Sequence, residues 1–372
     1  MQSALRILYF SRGFTTHDQR FLTSLSKTDH EVLFLRLENK YSNSVEETLH
    51  DSIKILPVLN QNKNFYYVNT ISNLIRLRRI IQKFKPDLVH AGPIQSCAFL
   101  IAIAGFSPLI TMSWGSDILV DSEKNLLFKA VTKFTLKKSA HFLGDCNTVK
   151  NKAKELGFPE EKITIFPWGI DLEKFHPGEN QSLRSKLGWN EKFILLSLRS
   201  WEDIYGVDIL VKGFIEASKV IPGLRLILLG DGSQREHLKE LISDAKISDK
   251  VFFGGIISQS ELPQYYQAAN LYLSASFSDG SSVSLMEALG CGLPVLVSDL
   301  PSNQEWIKDA ENGWLFKTGS VEDLKLKILD VYKNQNKLLI ICKQARLTAE
   351  KKANWNENFK KLLEAYNSAV KS

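Results

Sequence analysis

Two carboxylates eight positions apart, Asp279 and Glu287, bracket the segment of this chain best equipped for chemistry. They lie in LYLSASFSDGSSVSLMEALGCGLPVLVSD (Leu271–Asp299). That stretch reads as a strand ending near Ala275, a polar Gly-containing turn, and a helix that starts near Ser282 and stops before Gly292–Pro294. Backbone N–H groups of Gly280, Ser281, Ser282 and Val283 are then the unsatisfied donors of a helix start, a setting that favours a diphosphate. Asp279 lies just outside that start, where a carboxylate can accept sugar hydroxyls. Glu287 lies roughly a turn and a half inside the helix, and its carboxylate could take a bidentate bond from a ribose diol. Two acids at this spacing carry no such meaning alone, because solvated helix faces often bear them. The strand, turn, helix and Gly-x-Pro stop in register give the pair its weight.

The elements that must position these groups recur along the whole chain. Apolar runs of strand length (LRILYF, EVLFLRL, PDLVHAG, LITMSWG, HFLGD, KITIFPWG, then KFILLSLRS, LRLILLGDG, KVFFGG, NLYLSAS, LPVLVSD, GWLF) alternate with amphipathic stretches of helix length. Such runs suit strands buried on both faces of parallel sheets, and the alternation implies two doubly wound α/β units. Ligands in such sheets bind beyond the carboxyl ends of the strands, where Gly13, Gly92, Gly115, Gly230 and Gly255 punctuate this sequence. FPWGIDLEKFHPGENQ (Phe166–Gln181) is the hinge candidate, dividing residues 1–170 from 171–354. A final helix-like stretch within 355–372 could pack back on the first domain.

In this order the segments resemble glycosyltransferase family 4, the retaining transferases of the GT-B fold, from about Ile7 to Tyr366. The resemblance implies two Rossmann-like doubly wound domains facing a central cleft, an N-terminal acceptor-side domain and a C-terminal nucleotide-sugar domain. Asp279 stands where the family's first Glu usually stands, and Glu287 keeps the second. LRLILLGDGSQREHL resembles the family strand ending in Gly-Asp-Gly, which brings in Gly230 and Asp231. VFFGGIISQSELPQYYQAANLYLSAS resembles the stretch whose backbone, here at Ile257, meets the base. Arg199 matches the arginine directed at the donor pyrophosphate, for which a planar fork of donors is suited. A Lys usually follows a few residues on; here Tyr205 stands before Gly206, which removes one positive charge. Arg12, beside Gly13 in the first glycine turn, could replace it. His17 and Asp18 follow at a helix start, with Asp18 readable as an N-cap and His17 as an acceptor contact or exposed surface. TMSWGSDIL carries Trp114 where the family usually has His, with Asp117 left to bind an acceptor hydroxyl, and His90 is expected to face the same cleft.

Bulk composition narrows the rest. A chain of 372 residues, 44% hydrophobic and 24% charged, is that of an ordinary globular protein with room for two domains. The start reads as a first buried strand rather than a cleaved signal. The longest apolar stretch, Cys97 to Ile110, is shorter than the ~20 residues of a membrane span and reads as a buried helix. Cys97, Cys146, Cys291 and Cys342 are scattered, so neither zinc nor a disulfide framework is suggested and a cytoplasmic setting fits. Of the net charge of +6, five come from residues before Asn180, concentrated in Ser72–Pro86 and Phe128–Ser139. Solvated helix faces explain these stretches; docking on an anionic membrane or a lipid-linked acceptor is the alternative. Nucleic acid is disfavoured, since no stacking aromatics interleave the basic residues.

No Asp-x-Asp occurs, which argues against a metal-held diphosphate, so no metal and no cofactor beyond a UDP- or GDP-linked sugar is expected. Arg199 and helix-terminal N–H groups would meet the leaving-group charge. The resemblance implies retention by front-side attack, with the departing phosphate taking the acceptor proton and Asp279 holding sugar hydroxyls. A glycan or lipid-linked acceptor of envelope or polysaccharide synthesis is the expected partner. Competing readings are a weakly catalytic sugar-nucleotide-binding partner of another transferase and an epimerase of the same fold. A nicotinamide dehydrogenase is weaker, lacking Gly-x-Gly-x-x-Gly after a strand.

Overall fold

A computed structural model describes residues 4–38, 49–59 and 70–371. The chain divides into two compact units, Met1–Phe166 with Asn356–Ser372, and Pro167–Trp355.

The first unit is built on a parallel sheet of β1 (Arg6–Ser11), β2 (Glu31–Arg36), β3 (Ile53–Ile55), β4 (Leu88–Gly92), β5 (Leu109–Met112), β6 (His141–Gly144) and β7 (Ile163–Ile165). Its spatial order is β3-β2-β1-β4-β5-β6-β7, so the direction of winding reverses between β1 and β4. Ile7 stands opposite Val32 on one side and Leu88 on the other. Successive side chains alternate between faces. Leu8 and Phe10 join Leu33, Leu35, Val89 and Ala91 under the helix Thr70–Phe84, through Leu77 and Phe84. On the opposite face Tyr9 packs against Phe21, Phe34 and His90. The helix Trp355–Lys371 covers that face, with Tyr366 edge-on to His90 at 5.7 Å between ring centres.

Pro167–Trp355 holds β8 (Phe193–Ser197), β9 (Leu224–Leu229), β10 (Val251–Gly255), β11 (Leu271–Ser274), β12 (Val295–Ser298) and β13 (Trp314–Phe316). All pairings are parallel in the order β10-β9-β8-β11-β12-β13, reversing between β8 and β11. Ile194 and Leu196 fill one core layer while Leu195 fills the other. This alternation makes the apolar runs continuous, since neither face of a central strand meets water.

Three expectations change. β3 lies outside the strands the sequence pattern marks: Lys54 and Pro57 interrupt the apolar residues there, and only Ile53 of the three is buried. The stretch Cys97–Ile110 is not one helix. A π-helical turn (Ile94–Ala98) leads into a helix Phe99–Ala104, which Gly105 ends at φ +79° before β5 begins. Residues after Phe166 are fastened into the second unit: Ile170 N–H donates to Ala353 O at 2.8 Å, and Arg346 donates to the carbonyls of Phe175 and Gly290. Gly169 has φ +65°, and a Cβ there would lie 2.9 Å from Trp355 Cα.

Candidate functional site

In the second unit the winding reversal brings the ends of β8 and β11 together, which is where open α/β sheets bind ligands. Arg199 leaves the end of β8, and the turn after β11 carries Asp279 to Ser282. Arg199 Nη2 lies 2.8 Å from Asp279 Oδ2, with the two side chains 12% and 18% exposed. Nη1 donates to Ser282 Oγ at 2.7 Å. The ring of Tyr205 lies against the guanidinium, 4.2 Å from ring centre to Cζ. Burial works against the charge of Arg199, but Asp279 and nearby tyrosines outweigh it, so its pKa is raised further. For Asp279 burial raises the pKa, and Arg199 and the Gly280 N–H hold that rise back. At 2.8 Å the pair is best described as ionised on both sides.

Tyr205 therefore does more than leave out a lysine. It braces Arg199 through a cation–π contact. The turn that delivers it needs Gly206, whose φ is +56° and whose added Cβ would meet Ala275 O at 2.3 Å.

The helix that follows runs Val283–Gly290, with Ser282 as its N-cap accepting the Leu285 N–H at 3.4 Å. The start near Ser282 agrees with the sequence pattern, but not every group there faces outward. The Gly280 N–H bonds Asp279, and Ser281 Oγ accepts from Trp306 Nε1 at 3.1 Å. Glu287 is 2% exposed, and its Oε2 accepts from the Tyr266 hydroxyl at 2.8 Å. Ser284 links the two halves: its Oγ is 2.7 Å from Tyr272 Oη and 3.4 Å from Arg199 Nη1. Tyr266, Tyr272 and Ser284 were not singled out beforehand. The sequence signal was Tyr272 inside an otherwise apolar strand run, a residue that when buried wants a partner for its hydroxyl.

Neighbouring loops complete this end of the sheet. Gly230 has φ +111°, and a Cβ would come within 2.7 Å of Arg199 O. Its N–H donates to Gly255 O at 2.7 Å, and Trp201 N–H to Asp231 O at 2.9 Å. The carboxylate of Asp231 holds Arg235 and the Gly232 N–H, so it fixes the loop rather than pointing at a ligand. Ile257 packs at the margin of the core beyond β10.

The first unit has its own reversal, between β1 and β4. Beyond it lies a cavity of about 570 Å³ whose lining includes Arg12, Gln95, Trp114, Asp117, Asp121 and Lys124. Arg12 Nε is 3.4 Å from Glu38 Oε1, Gly13 is buried beside it, and the rings of His17 and Trp114 are 5.1 Å apart. Arg12, expected at the donor diphosphate, thus lines a first-unit cavity with Trp114, and the His17 ring lies beside that tryptophan.

Three readings need correction. His90 is 0% exposed and faces the core, 2.6 Å from the Tyr366 hydroxyl and 3.2 Å from Met112 Sδ, so it cannot present an imidazole to an acceptor. Burial drives its pKa down to about 3, so the ring is neutral. Asp117 lines the cavity, yet its carboxylate accepts from Ser113 Oγ and from the N–H groups of Ile94, Trp114 and Ile118. Burial lifts its pKa to about 6, and these four donors make it the anchor of the β5 loop rather than a free acceptor for a hydroxyl. Asp18 is not an N-cap. Thr15 caps the helix Thr16–Leu25, and Asp18 returns the bond to the Thr15 N–H at 2.8 Å, a capping box.

Residues 179–363 match the family model of group 1 glycosyl transferases, and residues 6–145 match that of 4-like glycosyl transferases. An alpha-monoglucosyldiacylglycerol synthase of Streptococcus pneumoniae is 33% identical over 82% of this chain and 72% of its own. A UDP-Gal:alpha-D-GlcNAc-diphosphoundecaprenol alpha-1,3-galactosyltransferase of Escherichia coli is 24% identical over 78% of each chain. Among solved structures, Anabaena HepE in complex with UDP-glucose superposes with a TM-score of 0.84 at 18% identity, covering 98% of this chain and 100% of its own.

Proposed function

The chain belongs to glycosyltransferase family 4, with two Rossmann-like units of the GT-B class, and from that premise we propose that it is a retaining, metal-independent enzyme. It moves a sugar from a UDP- or GDP-linked donor to a glycan or lipid-linked acceptor in envelope or polysaccharide synthesis. The observation that carries this reading is the convergence of Arg199, Asp279, Ser282 and Glu287 at the winding reversal of the second unit. A fixed guanidinium beside a helix start meets the charge that grows on a departing diphosphate without reorganising. In this reading Glu287, deeper in the same helix, takes the ribose diol, the backbone near Ile257 and Gly230 meets the base, and Asp279 takes the sugar hydroxyls. Attack and departure on one face would let the leaving phosphate oxygen take the acceptor proton, so retention needs no separate base. Relatives that bear the names of UDP-glucose binding, glycolipid synthesis and diphosphoundecaprenol glycosylation support the donor and acceptor classes.

The acceptor side falls to the first-unit cavity, with His17 and Trp114 at its edge. Membrane contact is supported by two helices on that unit, neither of which carries an acid. Thr70–Phe84 bears Arg76, Arg78, Arg79 and Lys83 with Ile71 exposed, and Leu126–Lys138 bears Lys129, Lys133, Lys137 and Lys138 with Leu126 and Leu127 exposed. Basic side chains beside exposed leucines suit an anionic bilayer surface. Among the described residues no helix is long and apolar enough to cross one.

The test pairs binding with transfer. UDP-, GDP- and ADP-sugars are screened by thermal shift, and the stabilising donor is supplied radiolabelled with membrane extract as acceptor source. The reading expects one donor to stabilise the fold, label to enter acceptor, and proton NMR of the linkage to show the donor's anomeric configuration. Stabilisation without transfer would leave only a sugar-nucleotide-binding partner, and an inverted linkage would remove the front-side mechanism.

A further inference from the structure

In this structure the cation assigned to the donor diphosphate is already engaged. Asp279 holds Arg199 Nη2 at 2.8 Å, while Ser282 at 2.7 Å and the Tyr205 ring at 4.2 Å hold the rest of the guanidinium. Arg199 Nε is buried without a hydrogen-bond partner, so the group is fixed in position yet not saturated. A diphosphate approaching Arg199 meets the Asp279 carboxylate occupying the place that one of its own oxygens would take. Nη2 carries two N–H groups, but two anions drawn up against it repel each other, and the braced guanidinium is the member less able to move. The exposed edge of the pair, 18% on the Asp279 side, is the side from which the carboxylate can be displaced.

We propose that Asp279 is a built-in competitor for the donor diphosphate: it holds Arg199 when the site is empty, yields it when nucleotide binds, and reclaims it as product leaves. This rests on the donor-site reading above and deepens it, making Asp279 a positioning residue that acts through Arg199. Charge at position 279 then sets the affinity for product nucleotide. An acid set apart from the guanidinium would act on the diphosphate only by repulsion across a longer distance, a smaller effect that weakens with added salt.

The experiment titrates UDP, GDP and ADP, which carry no sugar, into wild type, Asp279→Asn and Asp279→Ser by calorimetry, with release followed by stopped flow. Whichever nucleotide binds wild type should bind both variants about tenfold tighter, the size of one charge-assisted hydrogen bond that no longer has to be exchanged. The tightening should appear as slower release. A residue that merely supports the turn would weaken binding when replaced, so the direction alone discriminates. Unchanged or weaker binding by a variant that melts like wild type overturns the proposal and leaves the donor site standing. If no nucleoside diphosphate binds wild type, the donor-site reading falls and the competitor falls with it.

Discussion

Replacing Glu287 by Gln changes one oxygen for an amide and leaves the volume of a side chain that is 2% exposed. Tyr266, whose hydroxyl now donates to Oε2 at 2.8 Å, still finds an acceptor in the amide oxygen, and Ser284 O lies 3.3 Å away as a second. Fold stability should therefore change by about 1 kcal/mol or less, since a neutral amide is easier to bury than a carboxylate. Binding is another matter. If the carboxylate receives a ribose diol, one charged acceptor becomes a neutral amide donor, and the hydroxyl that donated to it must turn round and accept, so a charge-assisted bond is lost. Losing one hydrogen bond to a charged group is about 1.5–3 kcal/mol, or roughly tenfold to a hundredfold in dissociation constant. Calorimetric titration with UDP, alongside thermal melts of the same preparations, separates the two quantities. Unchanged affinity in a normally melting variant would refute the ribose assignment. A variant that loses stability by several kcal/mol would instead make Glu287 a structural partner of Tyr266.

Three further outcomes follow from the geometry. Tyr205→Leu removes the ring behind Arg199, a contact of about 1–2 kcal/mol when shielded from water. Steady-state kcat/KM should fall about tenfold, whereas Tyr205→Phe keeps the ring and stays near wild type; equal losses in both would discard the brace. His90 is buried neutral, with a pKa of about 3 against an ordinary value of 6.5. Below pH 6.5 the unfolded chain takes up a proton that the folded one refuses, so stability drops by about 1.4 kcal/mol per pH unit down towards pH 3. Asp117, raised to about 6, acts in the opposite sense but is common to both proteins compared. Urea melts at pH 6.5 and 4.5 should show a shallower acid loss for His90→Gln than for wild type, and parallel slopes would contradict the burial argument. Finally, Leu126 and Leu127 are 86% and 61% exposed. If they insert, each contributes about 1.5–3 kcal/mol, so Leu126→Asp with Leu127→Asp should cut sedimentation with anionic vesicles more than tenfold. Equal binding to zwitterionic vesicles by wild type would remove the electrostatic part.

Much of the fold was legible because central parallel strands have no solvent face, and their apolar runs stand out one after another. β3 escaped for the converse reason, as an edge strand with Lys54 and Ile55 exposed. Cys97–Ile110 misled because its apolar run spans a helix end, a left-handed glycine and a strand start without a polar break. At the site, the positions of Arg199, Asp279, Ser282 and Glu287 were readable, but not what they touch. Arg199 and Asp279 are far apart in sequence, and nothing local reveals that one neutralises the other. In sequence Tyr205 shows only a missing charge, because a ring's stacking partner is a tertiary fact. The inward turn of His90 is hidden because a strand-end position does not say which way a side chain points, and its partner Tyr366 lies 276 residues on.

That last pairing bears on how the molecule is made. The first unit is assembled from the two ends of the described chain, with His90 and Tyr9 capped by a helix that begins at Trp355. As the polypeptide leaves the ribosome, the earliest sheet emerges with an open flank and an imidazole awaiting its phenol. The unit spanning Pro167–Trp355 has all its strands in hand before that flank can close. Order of synthesis and order of completion are therefore reversed, and a nonsense codon between Asn356 and Tyr366 would strike the N-terminal Rossmann unit while leaving the strands of Pro167–Trp355 intact.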